Sequence, residues 1–311
     1  MPTITPRRRM SPDALAAMAG RVLPAPALRV LLSGALHGLG VSLCLHRIAA
    51  RPRPSDWQEG LSIPAHELDA LVELLLEAKP ARLSVTFDDG YREVAAWLAT
   101  RALKFPTVDF TFFVCPEKAE QRAGFRWDLV EESFKRGLDR RDEVLSAAVD
   151  LLRENARGEL KALVDHPDYE LASVEELRAL TKFPNVTLGN HTSLHLSAAN
   201  SPDMVVKADF ERSTKTFTRL FGAPSQFAFP YGTPKHHFDR KHVEWLRALG
   251  DFSIWTTEAR PYRLEELQPG AVLPRFPIDG RLSATELAGW IAARSLDFRA
   301  RGTKHRYPPL S

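Results

Sequence analysis

Seven short runs rich in apolar, β-branched or aromatic residues recur along the chain, and helix-like stretches separate nearly all of them. The runs are 41–45, 83–87, 108–114, 186–188, 226–229, 252–255 and 271–273. Between them, 65–78 carries Leu68, Leu71, Leu74 and Leu75 at helical spacing, and helices are also predicted over 92–103, 174–180, 203–220, 238–249 and 284–298. Strands that alternate with helices imply a parallel sheet, because parallel neighbours need a crossover between them. An open doubly wound sheet and a closed barrel both satisfy the pattern. Seven strands over roughly 250 residues favour a relative of the eight-stranded barrel, so the expected fold is α/β, a distorted (β/α)7 barrel.

With 311 residues, 44% of them hydrophobic, the chain can bury a sizeable core. One domain is expected, with a core over about 41–300, an N-terminal extension over 1–40 and an insertion over about 127–169. The insertion breaks the alternation, reading as two or three charged helices with no strand between them, and could wall one side of a substrate groove. A net charge of +3 with basic residues spread along the chain gives no reason to infer a nucleic-acid partner.

Arg7, Arg8 and Arg9 are followed by Ser11, Pro12 and Asp13 rather than by an apolar stretch, which is not the layout of a secretory signal. The apolar segment 22–46 is interrupted by Pro24, Pro26, Arg29 and His37, too often for a membrane span, and reads as a helix followed by a buried strand. Cys44 and Cys115 both lie in or beside apolar β-like runs, which suits buried thiols in a reducing compartment. The expected location is therefore cytoplasmic, with no transmembrane segment. Peripheral contact with a membrane face is left open by the weakly amphipathic segment 14–36.

Four constellations could carry chemistry. Ser84-Val85-Thr86-Phe87-Asp88-Asp89-Gly90-Tyr91 is a buried strand delivering two adjacent carboxylates at its C-terminal end, where barrels build active sites. Asp-Asp-Gly alone would read as turn chemistry. Directly after the 186–188 run, His191 and His195 stand four apart and can face one ion if the chain there turns helical. One carboxylate and two imidazoles leave an open position for water, the arrangement with which catalytic zinc lowers the pKa of that water towards ~7. Adjacent residues at a strand end point in different directions, so Asp88 and Asp89 are poorly placed to flank a glycosidic bond at the ~5 Å or more that glycosidases use. A division of labour suits them better, with Asp89 as ligand and Asp88 as base. His46 ends the first strand, and Phe229-Pro230-Tyr231-Gly232 ends the fifth with a turn that could aim the Tyr231 backbone N–H at an oxyanion. A structural histidine and an ordinary β-to-α turn are the plain alternatives for these two.

Taken together and in this order, the pieces resemble the polysaccharide deacetylase family, the nodulation-protein-type deacetylases of carbohydrate esterase family four, over roughly 42–278. Thr86-Phe87-Asp88-Asp89-Gly90 is similar to its first motif and His191-Thr192-Ser193-Leu194-His195 to its second. The resemblance implies Asp88 as general base, Asp89, His191 and His195 as ligands of one divalent metal, and Tyr231 as oxyanion donor. Zinc is the expected ion, with cobalt, nickel or manganese as alternatives. Many members place an acid histidine near the C-terminus, whereas here only His305 follows Pro274. The chain is instead similar to the poly-N-acetylglucosamine deacetylase branch, whose acid histidine lies on an N-terminal strand, and this points to His46. One departure is clear: many members hold the base with an arginine at the position occupied here by Ala228. Arg275, at the end of the seventh strand, is the expected substitute.

The resemblance implies a hydrolase that removes acetyl from an N-acetylated sugar, whether polysaccharide, oligosaccharide or lipid-linked precursor. An O-deacetylase, a deformylase or amidase on a related compound, and a non-catalytic carbohydrate-binding barrel are the rival expectations. Trp127, Trp255 and Tyr262 are candidates to line a sugar groove.

Overall fold

The computed structural model describes residues 20–49, 60–122, 124–125, 128 and 169–301. Its centre is a parallel barrel whose strands are continuous apolar runs, as strands covered on both sides must be. The first, β1 (Leu39–Leu45), is buried along its whole length. After a small parallel pair, β2 (Arg47–Ala49) and β3 (Ser62–Pro64), the barrel continues through β4 (Arg82–Phe87), β5 (Asp109–Val114), β6 (Val186–Asn190), β7 (Gln226–Ala228) and β8 (Ser253–Trp255). β9 (Tyr262–Arg263) adds an antiparallel edge to β1.

The seventh member is split. β10 (Val272–Leu273) pairs with β8 and β11 (Phe276–Pro277) pairs with β1, so the two halves join opposite edges of the sheet. The interruption falls at Pro274 and Arg275, where proline removes a ladder donor. The nearly closed (β/α)7 barrel expected from the strand–helix alternation is therefore present, and its seam is this broken strand. All seven predicted strands occur to within two residues at either end, whereas β2, β3, β9 and β11 are too short to show a period in the sequence.

Register brings the C-terminal ends to one mouth. Leu45 pairs with Phe87, Phe87 with Phe112 and Phe112 with Leu188. On the far side Ala228 pairs with Trp255, and Trp255 with Leu273. One residue past the Leu45–Phe87 rung stand His46 and Asp88, and the Asp88 N–H donates to the Leu45 carbonyl at 2.9 Å.

The helices are α1 (Ala25–Leu36), α2 (Ala65–Glu77), α3 (Arg92–Lys104), α4 (Pro116–Gln121), α5 (Val174–Leu180), α6 (Asp203–Phe221), α7 (Arg240–Arg247) and α8 (Ala284–Arg301). α1 buries Leu28, Leu32, Ala35 and Leu36 against the same core that receives Leu287, Ala288, Ile291 and Ala292 of α8. A stretch expected to be an N-terminal extension thus packs on the barrel, and β1 starts at Leu39. None of the described helices is long and apolar enough to cross a membrane. Of the three aromatics read as groove candidates, Trp255 and Tyr262 instead share a buried cluster with Phe113, Ala228 and Leu273, because both stand on short strands whose side chains fill the core. Trp127 and nearly all of the expected insertion lie outside the described residues.

Close packing gives two glycines opposite predictions. A Cβ on Gly189 would meet the Phe113 ring at 2.3 Å, whereas one on Gly34, in α1, meets nothing within 4 Å. Gly189→Ala should cost about 1–3 kcal/mol in denaturant unfolding, and Gly34→Ala should gain about 0.5–1 kcal/mol. Equal midpoints for the two variants would contradict this packing.

Candidate active site

Two consecutive left-handed residues, Asp89 (φ 77°) and Gly90 (φ 97°), end β4. The turn they make sends the neighbouring carboxylates apart. Asp88 faces the seam of the barrel and Asp89 faces the loop after β6. Four of the seven described non-glycine residues with positive φ, namely Asp89, Thr192, His195 and Tyr231, belong to the motifs that the sequence singles out. Such conformations are costly, and their gathering at one mouth is itself a pointer to function.

Asp88 is held by Arg275, whose Nη1 and Nη2 donate to Oδ1 and Oδ2 at 2.7 and 3.0 Å. The guanidinium is fully buried and also donates to Thr86 Oγ1 at 2.9 Å and to the Thr256 carbonyl at 3.2 Å. Burial alone would raise the Asp88 pKa, but the Arg275 charge beside it holds the carboxyl well below the usual carboxylate range. A weaker third donor is Cys44, whose Sγ lies 3.5 Å from Oδ2. His46, half-buried, joins them, and the ligand-type atoms of Cys44, His46 and Asp88 all lie within 4.8 Å of one another.

Asp89, His191 and His195 form a second cluster, also within 4.8 Å and buried or nearly so. Oδ1 of Asp89 lies 3.1 Å from His195 Nε2 and 3.6 Å from His191 Nε2. It accepts no hydrogen bond of acceptable geometry among the described residues. The His191 tautomer explains part of this. Its Nδ1 lies 2.8 Å from the Ala228 carbonyl, which can only accept, so Nδ1 carries the proton. Burial pushes the ring down to about 4 despite the Asp88 and Asp89 carboxylates, so near neutral pH Nε2 presents a lone pair towards a carboxylate oxygen. A carboxylate oxygen facing an imidazole lone pair, with a second imidazole beside them and the outer nitrogen of His191 pinned by a carbonyl, is what a divalent cation requires of aspartate and histidine. The residues present therefore fit such an ion.

The two histidines do not sit on a helix, as their spacing invites. Thr192 (φ 66°) and His195 (φ 53°) make an irregular turn, and this alone brings both rings to Asp89 with centroids 5.0 Å apart. A network legible only in part from the sequence fixes that turn. Asp209 of α6 accepts from the Ser193 and Leu194 N–H groups at 3.1 and 3.0 Å, the Asn190 amide oxygen accepts from Thr192 N–H at 3.0 Å, and Ser193 bonds Glu117. Asp209 stands among Val206, Phe210, Ser213 and Phe217 on the buried stripe of its helix. A carboxylate on an apolar stripe is the signal that could have found it.

Tyr231 closes the circle. Its ring meets His195 edge-on at 5.2 Å, and its carbonyl accepts from Thr257 Oγ1 at 3.2 Å. The structure thus brings Asp88, His46 and Arg275 together on one side of the mouth, with Asp89, His191 and His195 on the other and Tyr231 beside His195.

A family model described as polysaccharide deacetylase matches residues 76–250. Among solved structures, a polysaccharide deacetylase from Bacillus cereus superposes with a TM-score of 0.53 at 13% identity, over 81% of this chain and 68% of that one. IcaB from Ammonifex degensii gives 0.50 at 21% identity over 82% and 97%, and the Streptococcus pyogenes deacetylase PplD gives 0.51 at 11% over 80% and 96%. At these identities the likeness speaks to the fold. No curated protein matches the sequence significantly.

Two consequences are measurable. Arg275→Ala leaves the Asp88 carboxylate buried without its partner, which should cost about 3–5 kcal/mol in chemical unfolding; a cost below about 1 kcal/mol would contradict the pairing. In protein stripped of divalent cations, the folded state holds the His191 ring neutral below the ordinary value of 6.5. Stability should be full above pH 6.5 and fall progressively as the pH drops towards about 4, by about 3 kcal/mol in all. The loss should be absent from His191→Asn.

Proposed function

The chain belongs to the polysaccharide deacetylase family, and we propose that it is a metal-dependent hydrolase that removes acetyl from an N-acetylated sugar, with Asp88 as base and His46 as acid. The observation that carries this reading is the division between the two adjacent carboxylates, one locked by an arginine in ionised form and the other aimed with two histidines at a common point.

Asp89, His191 and His195 are the ligand set. A divalent cation held there, zinc by preference, supplies Lewis-acid polarisation of the acetamide carbonyl and lowers the pKa of a water. Asp88 keeps a free-proton acceptor at neutral pH because Arg275 favours its charged form, and the bidentate clamp fixes the direction from which it takes a proton off the attacking water. Cys44 and Thr86, respectively against Asp88 and Arg275, restrict both groups further. In this reading the backbone N–H of Tyr231 donates to the oxygen on which negative charge develops. His46 follows β1, the strand that lies between β4 and β11, within 4.8 Å of the Asp88 carboxylate, and gives a proton to the departing sugar amine. Base and acid on neighbouring strand ends thus work on opposite bonds of one carbon.

The test is amine release from N-acetylglucosamine oligomers and from lipid-linked N-acetyl sugars by zinc-loaded protein. Asp88→Asn and His46→Ala should each lower kcat by at least about 100-fold. Chelation should abolish turnover, and added zinc should restore it. Bound metal without amine release from any N-acetyl sugar would move the reading to another acyl substrate or to binding alone.

A further inference from the structure

We propose that Tyr231 and His237 together form a binding platform for a pyranose ring at the mouth of the barrel, Tyr231 stacking on its C–H face and His237 donating to one of its hydroxyls. The proposal rests on the carbohydrate deacetylase reading and adds to it the residues that hold the sugar.

The groove aromatics suggested by sequence do not serve here, since Trp255 and Tyr262 are buried. Tyr231 does not share their environment. It is 52% exposed, yet it stands next to a candidate metal ligand, its ring 5.2 Å from that of His195. The backbone that carries this half-exposed ring is fixed on both sides. Its backbone lies at φ 63°, followed by Gly232 at φ 62°, and the Thr257 N–H donates to the Gly232 carbonyl at 2.8 Å while Thr257 Oγ1 donates to the Tyr231 carbonyl. A β-to-α turn needs neither a tyrosine in a left-handed conformation nor an exposed ring, and a strained backbone carrying an exposed ring beside the candidate ligands marks a place where a ligand is met.

His237 supplies the polar half. Its ring lies 5.3 Å from that of Tyr231, tilted by 39°, and continues the row His191, His195, Tyr231 outward to the surface. Its Nδ1 accepts the Thr233 N–H at 3.2 Å, which places the proton of the neutral ring on Nε2. Burial and the neighbouring His236 hold the ring below the usual histidine value, which keeps that tautomer at neutral pH. Nε2 has no protein partner among the described residues, so it is a fixed donor beside an aromatic face. An apolar face and a directed donor a few ångströms apart match the alternating C–H and hydroxyl surface of a pyranose, and match an aliphatic or planar cyclic amide less well.

The test is binding of the N-acetylglucosamine trimer to zinc-loaded Asp88→Asn protein, followed by saturation-transfer NMR and titration calorimetry. Added to that background, Tyr231→Asn removes the ring while keeping a residue that tolerates positive φ, and His237→Asn keeps an acceptor for Thr233 while removing the Nε2 donor. Tyr231→Asn should weaken binding about tenfold and His237→Asn about threefold, with Tyr231→Phe within twofold of the parent. Unfolding midpoints like the parent's exclude a folding defect, and if Tyr231→Asn fails that check, His237→Asn and Tyr231→Phe decide. Unchanged affinity in both asparagine variants, or a parent that does not bind the trimer, would overturn the platform. Turnover by the wild-type protein alongside unchanged affinities would overturn it and leave the deacetylase reading standing.

Discussion

The pair formed by Arg275 and Asp88 is the contact on which the rest of the mouth depends. A barrel made of seven parallel strands has to close, and here the closing strand is broken so that its halves can reach opposite edges. The break leaves a buried arginine at the seam, where it touches Asp88 and Thr86 of the β4 strand and turn, and Thr256 just past β8. Taking two charges out of water costs several kcal/mol per ion, and the attraction between them repays this only with excellent geometry. Two short hydrogen bonds from one fork to one carboxylate are such geometry, which a lysine would not reproduce. A buried pair of this kind is weak evidence for stability and good evidence for orientation. In the proposed mechanism, orientation of the base is what it provides.

Everything about Asp89 contrasts with its neighbour. Among the described residues no arginine pairs with it, the side chains beside its Oδ1 are two imidazoles, and that oxygen accepts no hydrogen bond of acceptable geometry. The β4 turn produces this difference by placing Asp89, and not Asp88, at positive φ, so that in the proposed mechanism one peptide unit separates the base from the ligand. The same device recurs at Thr192, His195 and Tyr231. Strain is spread over the loops at the mouth and borne by the barrel beneath, whose strands are buried along almost their whole length.

Much of the fold is legible in the sequence because a parallel barrel needs continuous apolar runs, and such runs are easily recognised. What escapes is short or set by the tertiary structure. β9 and β11 have two residues each and exist only because β1 offers them an edge. The His191 and His195 rings converge on Asp89 through a turn fixed by Asp209 and Asn190, contacts between residues distant or irregular in sequence, so a helical reading of their spacing brings the two together by a geometry the chain does not use. An arginine partner for Asp88 is legible from the missing arginine at Ala228 together with an arginine at a strand end. The Ala228 carbonyl bonds His191, a backbone function that no side-chain pattern encodes. Trp255 and Tyr262 illustrate the opposite error, aromatics whose exposure cannot be read from their type.

The central claim is that neighbouring carboxylates divide the work, and metal content measures it most directly. Wild-type protein, Asp88→Asn and Asp89→Asn would be equilibrated with limiting zinc, desalted and assayed for bound metal. The account predicts one zinc per chain in wild-type protein and in Asp88→Asn, and little or none in Asp89→Asn. Loss of zinc from both variants alike, or its retention by both, would contradict it.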